Sequence, residues 1–243
     1  MEHVSFSHLF NIMKIKLGTI RRLIREQLVQ ERAKDMRSAN NLGLCITSVN
    51  NKKFYILVDV DAIMNDVNKV NDIDDMFGFA NDENTAGDII VAMMRVDEKY
   101  KSSNKQWGAA EVEMAAAKKG WGPFLYDIVM SSEGALVPDR GEGDVSPDAQ
   151  KVWNFYFTNR KDVKHKLLDD ENAPKTLTPK DDTSELHDGE EKSPLNYAYT
   201  TSKNIPINKL ITNYKKISKD VSEEALVAHS MVFFRAQHAK WRK

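Results

Sequence analysis

The chain has 243 residues but only one cysteine, no long apolar run and no excess of charge of either sign. A single cysteine excludes an intrachain disulfide and a cysteine-based metal site, and it favours a reducing compartment. No stretch approaches the roughly 18 consecutive apolar residues of a membrane span. The N-terminus lacks the apolar core of a signal peptide. We therefore expect a cytoplasmic protein with no membrane and no metal partner.

Acidic and basic side chains nearly cancel, since 36 Asp and Glu residues oppose 35 Lys and Arg residues. The formal net charge of -1 supplies no general attraction to nucleic acid, which is therefore not favoured as a partner. Hydrophobic residues make up 41% and charged residues 29% of the chain, as in ordinary folded domains. At this length the chain can form one large domain or two small ones.

Residues 1–40 are predicted to form a helical segment. Apolar residues recur along it at helical spacing, with arginines off that stripe. Such a helix either packs on its own domain or docks on a partner. The stretch IRRLIRE (20–26) also resembles the short leader helices of many tailed-phage proteins, which suggests a viral source and a host cytoplasm.

Three strands are predicted between residues 42 and 96. LGLCITSV and KFYILVDV flank Asn50-Asn51-Lys52, which is good turn chemistry for a hairpin. Cys45 lies in the first of these runs and is expected to be a buried small hydrophobe rather than a reactive thiol. IIVAMMRV (89–96) is the third strand. The acidic stretch 61–87 between them fits one helical face and lacks the spacing of a calcium-binding loop.

AAEVEMAAA (109–117) alternates as a strand does. The alternation places Glu111 and Glu113 on one face, opposite Val112 and Met114. Two carboxylates that project toward a cleft suit a general base or the recognition of a cationic amine. The alternative is that they line the solvent side of a half-exposed strand.

The glycine loop AKKGWGPFLY comes directly after this strand. Gly120 and Gly122 allow close backbone approach, and Pro123 suits the first turn of a helix. Lys118, Lys119 and the first N–H groups of that helix predict an anion site. The dinucleotide fingerprint is excluded because a third glycine at the required spacing is missing, and the P-loop because no G-K-[ST] follows.

A strand at 134–138 and a helix capped by Ser146 are predicted next. Asp139 and Arg140 follow that strand and either orient a ligand or form a loop salt bridge. Residues 168–205 are expected to be a loop-rich insert, in which LNYAYTT adds an edge strand. Residues 206–243 are expected to be helical, with a last helix capped by Ser222 and basic at its end.

The strand–loop–helix segment resembles the acyl-CoA loop of the GNAT superfamily of N-acetyltransferases, Q/R-x-x-G-x-G/A. Both glycines match in the register 117–122, whereas the first position is Ala117 instead of Gln or Arg. The resemblance covers about 50 residues well and about 110 (42–160) with the upstream strands. It implies that acetyl-CoA is the cosubstrate and that eight residues bind it: Met114, Ala116, Lys118, Lys119, Gly120, Trp121, Gly122 and Phe124.

The resemblance also implies a mechanism. The thioester lies in a V-shaped gap between the strand that ends near Ala117 and the strand at 135–138, where a backbone N–H polarises its carbonyl. Glu111 and Glu113 are the candidate bases. The family often has a tyrosine acid where this chain has Trp153, so that Tyr156 or Tyr126 would have to replace it.

The expected fold is an α/β (α+β) structure with a GNAT-like mixed, mostly antiparallel central sheet and flanking helices. The expected division is an N-terminal helix (1–40), a core (41–167), the insert (168–205) and a C-terminal helical region (206–243). The expected function is transfer of an acetyl group from acetyl-CoA to a primary amine. The alternative is a non-catalytic GNAT-like phage protein that works through protein contacts, and a nucleic-acid-modifying enzyme is a weaker third hypothesis. Either protein could be an oligomer.

Overall fold

The computed structural model describes residues 41–65, 89–97, 109–139, 145–168 and 193–239. The predicted N-terminal helix, most of the acidic stretch, Arg140 and much of the insert lie outside these residues. The described part is a mixed α/β fold whose sheet has seven strands. The strands are β1 (Leu42–Val49), β2 (Lys52–Asp59), β3 (Ile90–Asp97), β4 (Ala110–Ala117), β5 (Leu136–Val137), β6 (Val163–Leu167) and β7 (Tyr197–Thr201).

Five α-helices and one 3₁₀ helix (Pro194–Asn196) accompany the sheet in the described ranges. The mixed, mostly antiparallel sheet with flanking helices that the sequence predicts is thereby confirmed. None of these helices is long and apolar enough to cross a membrane. The α-helices are α1 (Val60–Asn65), α2 (Gly122–Glu133), α3 (Pro147–Asn159), α4 (Ile207–Lys215) and α5 (Glu223–Ala239).

The β1–β2 hairpin forms where its turn residues predict it. Asn50 and Asn51 have φ angles of 52° and 63°, which is the left-handed conformation that a two-residue hairpin turn requires and that asparagine tolerates well. The two strands pair in regular antiparallel register from Leu42↔Asp59 to Val49↔Lys52. The predicted hairpin is confirmed.

The strand order is β1-β2-β3-β4-β5-β7-β6, and only β4 and β5 pair in parallel. The strand predicted at LNYAYTT forms as β7, but it lies between β5 and β6 and not at the edge, so that part of the prediction is wrong. The edge strand on this side of the sheet is β6, which was not predicted from the sequence. Its sequence VKHKL buries only Val163, so the alternation that marks a strand is weak.

Opposite faces of the sheet carry different helices. The Tyr55 hydroxyl bonds the Glu133 carboxylate of α2, while Phe54 and Ile56 belong to a buried cluster with Phe233 of α5. Neighbouring residues in a strand point to opposite faces, so α2 and α5 lie on opposite sides of the sheet. Cys45 is buried in the α5-side cluster, as predicted, and burial raises its pKa to about 11.

The C-terminal helices complete the α5 side. Ser222 caps α5 by accepting a hydrogen bond from the Ala225 N–H at 3.1 Å, as its sequence predicts. Helix α4 packs against β1, where the buried Asn213 side chain donates to the Leu42 carbonyl at 3.0 Å. The core on this face of the sheet is therefore finished by residues from the end of the chain.

Candidate functional site

The parallel pairing of β4 with β5 is short, because β5 has only two residues and both of them pair with β4. They pair only at Ala110↔Leu136 and Glu111↔Val137, whereas β4 continues to Ala117. From residue 112 onward the two parallel strands share no register pairs, and a gap opens between them. The chain after β5 passes through Asp139 beside this gap.

A β-bulge in β4 lies at the point of separation. Met114 pairs with Arg95 and Val112 pairs with Val96, so Glu113 is an extra residue opposite no partner in β3. Arg95 lies directly opposite Met114, so the two side chains are on the same face of the sheet. The Arg95 side chain also forms an ion pair with Glu113. Glu113 and Met114 therefore share a face, and the prediction that places them on opposite faces is wrong because the bulge interrupts the alternation.

A cavity of about 120 Å³ occupies the gap. Residues on both sides of the sheet line it, since α2 contributes to one side and α5 to the other. Because lining comes from both faces, a ligand can meet groups from either side of the sheet here. The lining residues are Val112, Glu113, Met114 and Ala115 of β4, Tyr126, Asp139, Val145, Ser146, Ala149, Trp153, Phe234 and His238.

Glu113 is the carboxylate that lines the cavity, and both of its oxygens are engaged. Oε1 accepts from the Lys52 ammonium and Oε2 accepts from Nε of Arg95 at 2.9 Å. Lys52 also binds Asp97, so two cations and two carboxylates form an electrically neutral cluster. Glu111 lies opposite Asp97 in the ladder and does not contribute to the cavity wall.

The two candidate tyrosines have different surroundings. Tyr126 lines the cavity with its ring edge-on to Trp153 at 5.0 Å, and its hydroxyl makes no hydrogen bond to another residue of the described ranges. Burial raises the pKa of Tyr126 above its ordinary value, so the hydroxyl keeps its proton at neutral pH. Tyr126 is therefore a protonated group that a ligand can reach.

Tyr156 is fully buried and lies outside the cavity wall. Its hydroxyl is 2.6 Å from the Pro123 carbonyl and 2.9 Å from Oδ1 of Asp127, both of which accept from it. Burial and the Asp127 carboxylate raise the pKa of Tyr156 well above its ordinary value. The structure thus gives Tyr156 a role in joining α3 to α2. Its ring lies 6.2 Å from the ring of Tyr126, but only Tyr126 lines the cavity.

Asp127 anchors the same region through charge. Its side chain is 2% exposed and forms ion pairs with Arg160 and Lys203, each at 3.1 Å. Arg160 follows α3 and Lys203 follows β7, so one buried carboxylate ties α2 to two later segments. An ion pair of this kind fixes geometry more than it adds stability, because desolvation offsets much of the attraction.

The glycine loop has the predicted strand–loop–helix form. Gly120 has a φ of 92°, and the Trp121 N–H donates to the Lys118 carbonyl at 3.0 Å. Helix α2 begins at Gly122, and its first helical hydrogen bond runs from the Leu125 N–H to the Trp121 carbonyl. The N–H groups of the preceding turn therefore have no helix carbonyl to bind, which is the arrangement that attracts anions.

Gly122 stands in open space in this loop. A Cβ added there would meet its nearest atom, the Val152 Cγ2, at 3.9 Å, which is ordinary van der Waals contact. The close packing that a glycine sometimes serves is therefore not needed here, and a small side chain at position 122 would contact Val152 of α3. Of the residues that the resemblance assigns to cofactor binding, Met114 lines the cavity while the loop 118–122 lies beyond the end of β4.

Several cavity residues were not predicted as site residues. Ser146 was assigned only as a cap; its hydroxyl accepts from the Ala149 N–H at 3.3 Å, which confirms the cap, and both residues also line the cavity. Phe234 and His238 reach the cavity from α5, about 100 residues further along the chain. The only local signal for this pair is its spacing of four residues, which places both rings on the same face of α5.

The described residues contain no group of three or more His, Cys, Asp or Glu side chains that could hold a metal ion. The site is therefore defined by the gap, the cavity and the loop. Comparison of the chain with protein-family models, with curated proteins and with solved structures finds no match.

Proposed function

We propose that the protein is an acyl-CoA-dependent N-acyltransferase with a GNAT-like fold, which moves an acetyl group from acetyl-CoA to a primary amine. The observation that carries this proposal is the separation of the parallel pair β4–β5 around a cavity. The resemblance of the loop 117–122 implies this gap, and the glycine loop opens at the far end of the same strand. Acetyl-CoA carries a thioester at one end and phosphates at the other. Its binding site therefore needs a narrow cavity for the thioester and an anion site in line with that cavity.

The phosphate end of acetyl-CoA fits the start of α2. The helix dipole and the N–H groups of its first turn attract the pyrophosphate, and Lys118 and Lys119 add positive charge. Gly120 gives the loop its left-handed turn, and a glycine at position 122 allows a phosphate to approach the backbone at the helix start. Ala116 and Phe124 flank this loop in sequence and would contact the pantetheine arm.

The acyl end lies in the gap. Beyond Glu111, β5 supplies no ladder partner to β4, so backbone N–H groups that face the gap can donate to the thioester carbonyl oxygen. The amine nitrogen attacks the carbonyl carbon, the carbon–sulfur bond breaks, and the thiolate takes up a proton. Tyr126 is the protonated hydroxyl in the cavity wall and can donate a hydrogen bond to the departing sulfur. Asp139 at the end of β5 would orient the acceptor.

The second candidate function is a non-catalytic GNAT-like phage protein, virion-associated or host-interacting. Trp153 is the observation that favours it: this side chain stands where the family often has its acid, and it lines the cavity and packs on Tyr126. The commitment of both Glu113 oxygens to Lys52 and Arg95 also removes the base that the resemblance implies.

Calorimetric titration with acetyl-CoA separates the two functions, and two variants of Gly122 make the test specific. Gly122→Asp should keep the fold, because the position is open and an acidic residue in the first turn of a helix is favourable. The added carboxylate repels the pyrophosphate by about 4 kcal/mol at 4 Å and an effective dielectric constant of 20. We expect the dissociation constant to rise by about 100-fold or more.

Gly122→Ala is the matched control, since it adds a Cβ without charge and should change the dissociation constant by less than about threefold. Failure of the unmodified protein to bind acetyl-CoA at millimolar concentration would reject the acyltransferase and leave the non-catalytic function. Equal binding by both variants would reject the anion site at α2.

A further inference from the structure

Helix α5 closes the cavity from the side of the sheet opposite α2. Phe234 and His238 both line the cavity, lie one helical turn apart, and hold their rings 5.6 Å apart. His238 is half-buried, near the last turn of the helix. The cavity thus has a wall on this side that consists of two rings and the Met114 side of β4.

The approach of acetyl-CoA fixes the direction from which the acceptor comes, and this step rests on the proposed function. The anion site belongs to α2, so the phosphates and the arm of the cofactor lie on the α2 side of the sheet. The opposite opening of the gap, on the α5 side, is then the one left for the amine. A nucleophile that enters there meets the carbonyl carbon from the face away from the cofactor.

Besides His238, the ionisable side chains in the cavity wall are Glu113, Tyr126 and Asp139, and Asp139 is assigned to orient the acceptor. Glu113 has both oxygens bound to cations, and accepting a proton would break one of those ion pairs. Tyr126 keeps its own proton and therefore cannot accept one. Imidazole, with an ordinary pKa of about 6.5, is the side chain best matched to proton transfer near neutral pH. His238 is the histidine in the cavity wall.

We infer that the acceptor amine enters from the α5 side and gives its proton to His238. The amine nitrogen bonds to the carbonyl carbon of the thioester, and its proton moves to the unprotonated imidazole nitrogen. The carbon–sulfur bond then breaks, the electron pair stays on sulfur, and the thiolate takes the proton from the imidazolium. His238 thereby returns to its neutral form for the next turnover.

The charges that face His238 come from several elements. Lys52 of β2, Arg95 and Asp97 of β3 and Glu113 of β4 form the neutral cluster, so they add no net charge to the α5 side. Asp139 beside the gap adds one carboxylate, and Arg235 of α5 adds one cation a turn away.

Bromoacetyl-CoA tests this placement without an identified acceptor. Its electrophilic carbon occupies the position of the acetyl methyl group, so an imidazole nitrogen at the acceptor opening displaces bromide and forms a stable N–CH₂ bond. We expect one adduct, located on His238 by peptide mass spectrometry, and at least a tenfold slower reaction in His238→Gln. His165→Gln is the matched control, because His165 is exposed on β6 away from the cavity. Cys45 does not compete, since it is buried.

The pH dependence of the labelling rate tests the proton role. A base must lose its own proton before it reacts, so we expect faster labelling at pH 8 than at pH 5.5. A rate that is constant over this range, or an adduct on Glu113, contradicts the inference. If acetyl-CoA binds by calorimetry but His238 stays unlabelled, the inference fails and the acyltransferase stands; if acetyl-CoA does not bind, both fall.

Discussion

Two buried tyrosines in adjacent helices show how one hydroxyl can serve structure and another can serve a ligand. The Tyr156 hydroxyl is shared between the Pro123 carbonyl and the Asp127 carboxylate, whereas that of Tyr126 has no such acceptor in the described ranges. A hydrogen bond to a charged group contributes more to stability than one between neutral groups. If such a bond is removed, the buried group left without a donor adds a desolvation penalty.

Replacing each of these tyrosines with phenylalanine should therefore change the free energy of unfolding by different amounts. We expect Tyr156→Phe to lower the free energy of unfolding by about 1–3 kcal/mol, because Asp127 loses a buried donor. Tyr126→Phe should change it by less than about 0.5 kcal/mol, because only an unbonded hydroxyl is removed. Urea denaturation followed by circular dichroism measures both, and equal losses in the two variants would show that the Tyr126 hydroxyl is bound.

For individual residues, the sequence predicts which side chains share a face of a strand but not which of them reach the cavity. The alternation in AAEVEMAAA identifies Glu111 and Glu113 as neighbours on a face, but only Glu113 reaches the cavity. Its partners Lys52 and Arg95 are 61 and 18 residues away in the chain. No local pattern announces such pairs, because they depend on the register of three strands and on a bulge that alternation does not predict.

Helix α2 has a glycine of positive φ just before its start and another just after its end. Gly120 has a φ of 92° in the anion loop, and Gly134 has a φ of 86° at the C-cap, where its N–H donates to the Met130 carbonyl at 2.9 Å. A Cβ at Gly134 would meet nothing within 4 Å, so only the backbone conformation opposes a side chain there.

Gly120→Ala and Gly134→Ala form a matched pair for the role of the loop. Each should destabilise the fold by roughly 1–2 kcal/mol, the cost of a left-handed alanine. Only Gly120→Ala should also weaken acetyl-CoA binding, by about tenfold or more, because it disturbs the loop that positions the anion-binding N–H groups. Thermal unfolding and calorimetry give the two quantities; a similar loss of binding in Gly134→Ala would assign the effect to general destabilisation.

Elements with a strong local signal were predicted well. The hairpin, β3, β4, the loop, α2 and the capped starts of α3 and α5 follow from turn residues, alternation and caps. β6 escaped because VKHKL exposes most of its residues. The position of β7 inside the sheet was not predicted, because it depends on pairing with β5 and β6. These strands lie roughly 60 and 30 residues earlier in the chain, and the sequence of β7 itself does not indicate which strands it pairs with.

Buried tyrosines make the stability of the whole molecule sensitive to alkali. Tyr55, Tyr126, Tyr156, Tyr199 and Tyr214 all have a pKa raised above the ordinary value, in each case chiefly by burial. In the unfolded chain a tyrosine loses its proton near pH 10, while the folded chain holds it to higher pH. Above about pH 10 the unfolded state therefore binds fewer protons, and the free energy of unfolding falls.

We expect each of these tyrosines to contribute a decline of up to about 1.4 kcal/mol per pH unit above pH 10 and nothing below pH 9. Urea midpoints at pH 8, 9.5, 10.5 and 11 measure the decline. Cys45, whose pKa burial raises to about 11, adds a smaller decline that begins about one unit lower. Tyr126→Phe removes one of the five groups and should flatten the curve, and a midpoint that is unchanged at pH 11 would contradict the burial of these side chains.

At this scale the cavity was beyond sequence-based prediction. Its wall draws on β4, α2, α3 and α5, a span from Val112 to His238. The sequence predicts a helix at the end of the chain with Phe234 among its apolar residues, but not which side of the sheet it covers. That choice is made by the buried cluster that Phe233 and Leu226 form with β2 and β3.

The late position of α5 has a consequence for synthesis. The strands whose faces it covers are complete when Ala117 has been made, but α5 begins only at Glu223. At about 5–20 residues per second, the ribosome needs on the order of ten seconds to add the intervening chain. During that interval the nascent hairpin, β3 and β4 present an uncovered apolar surface, and we expect the ribosome or a chaperone to shield it until α5 emerges.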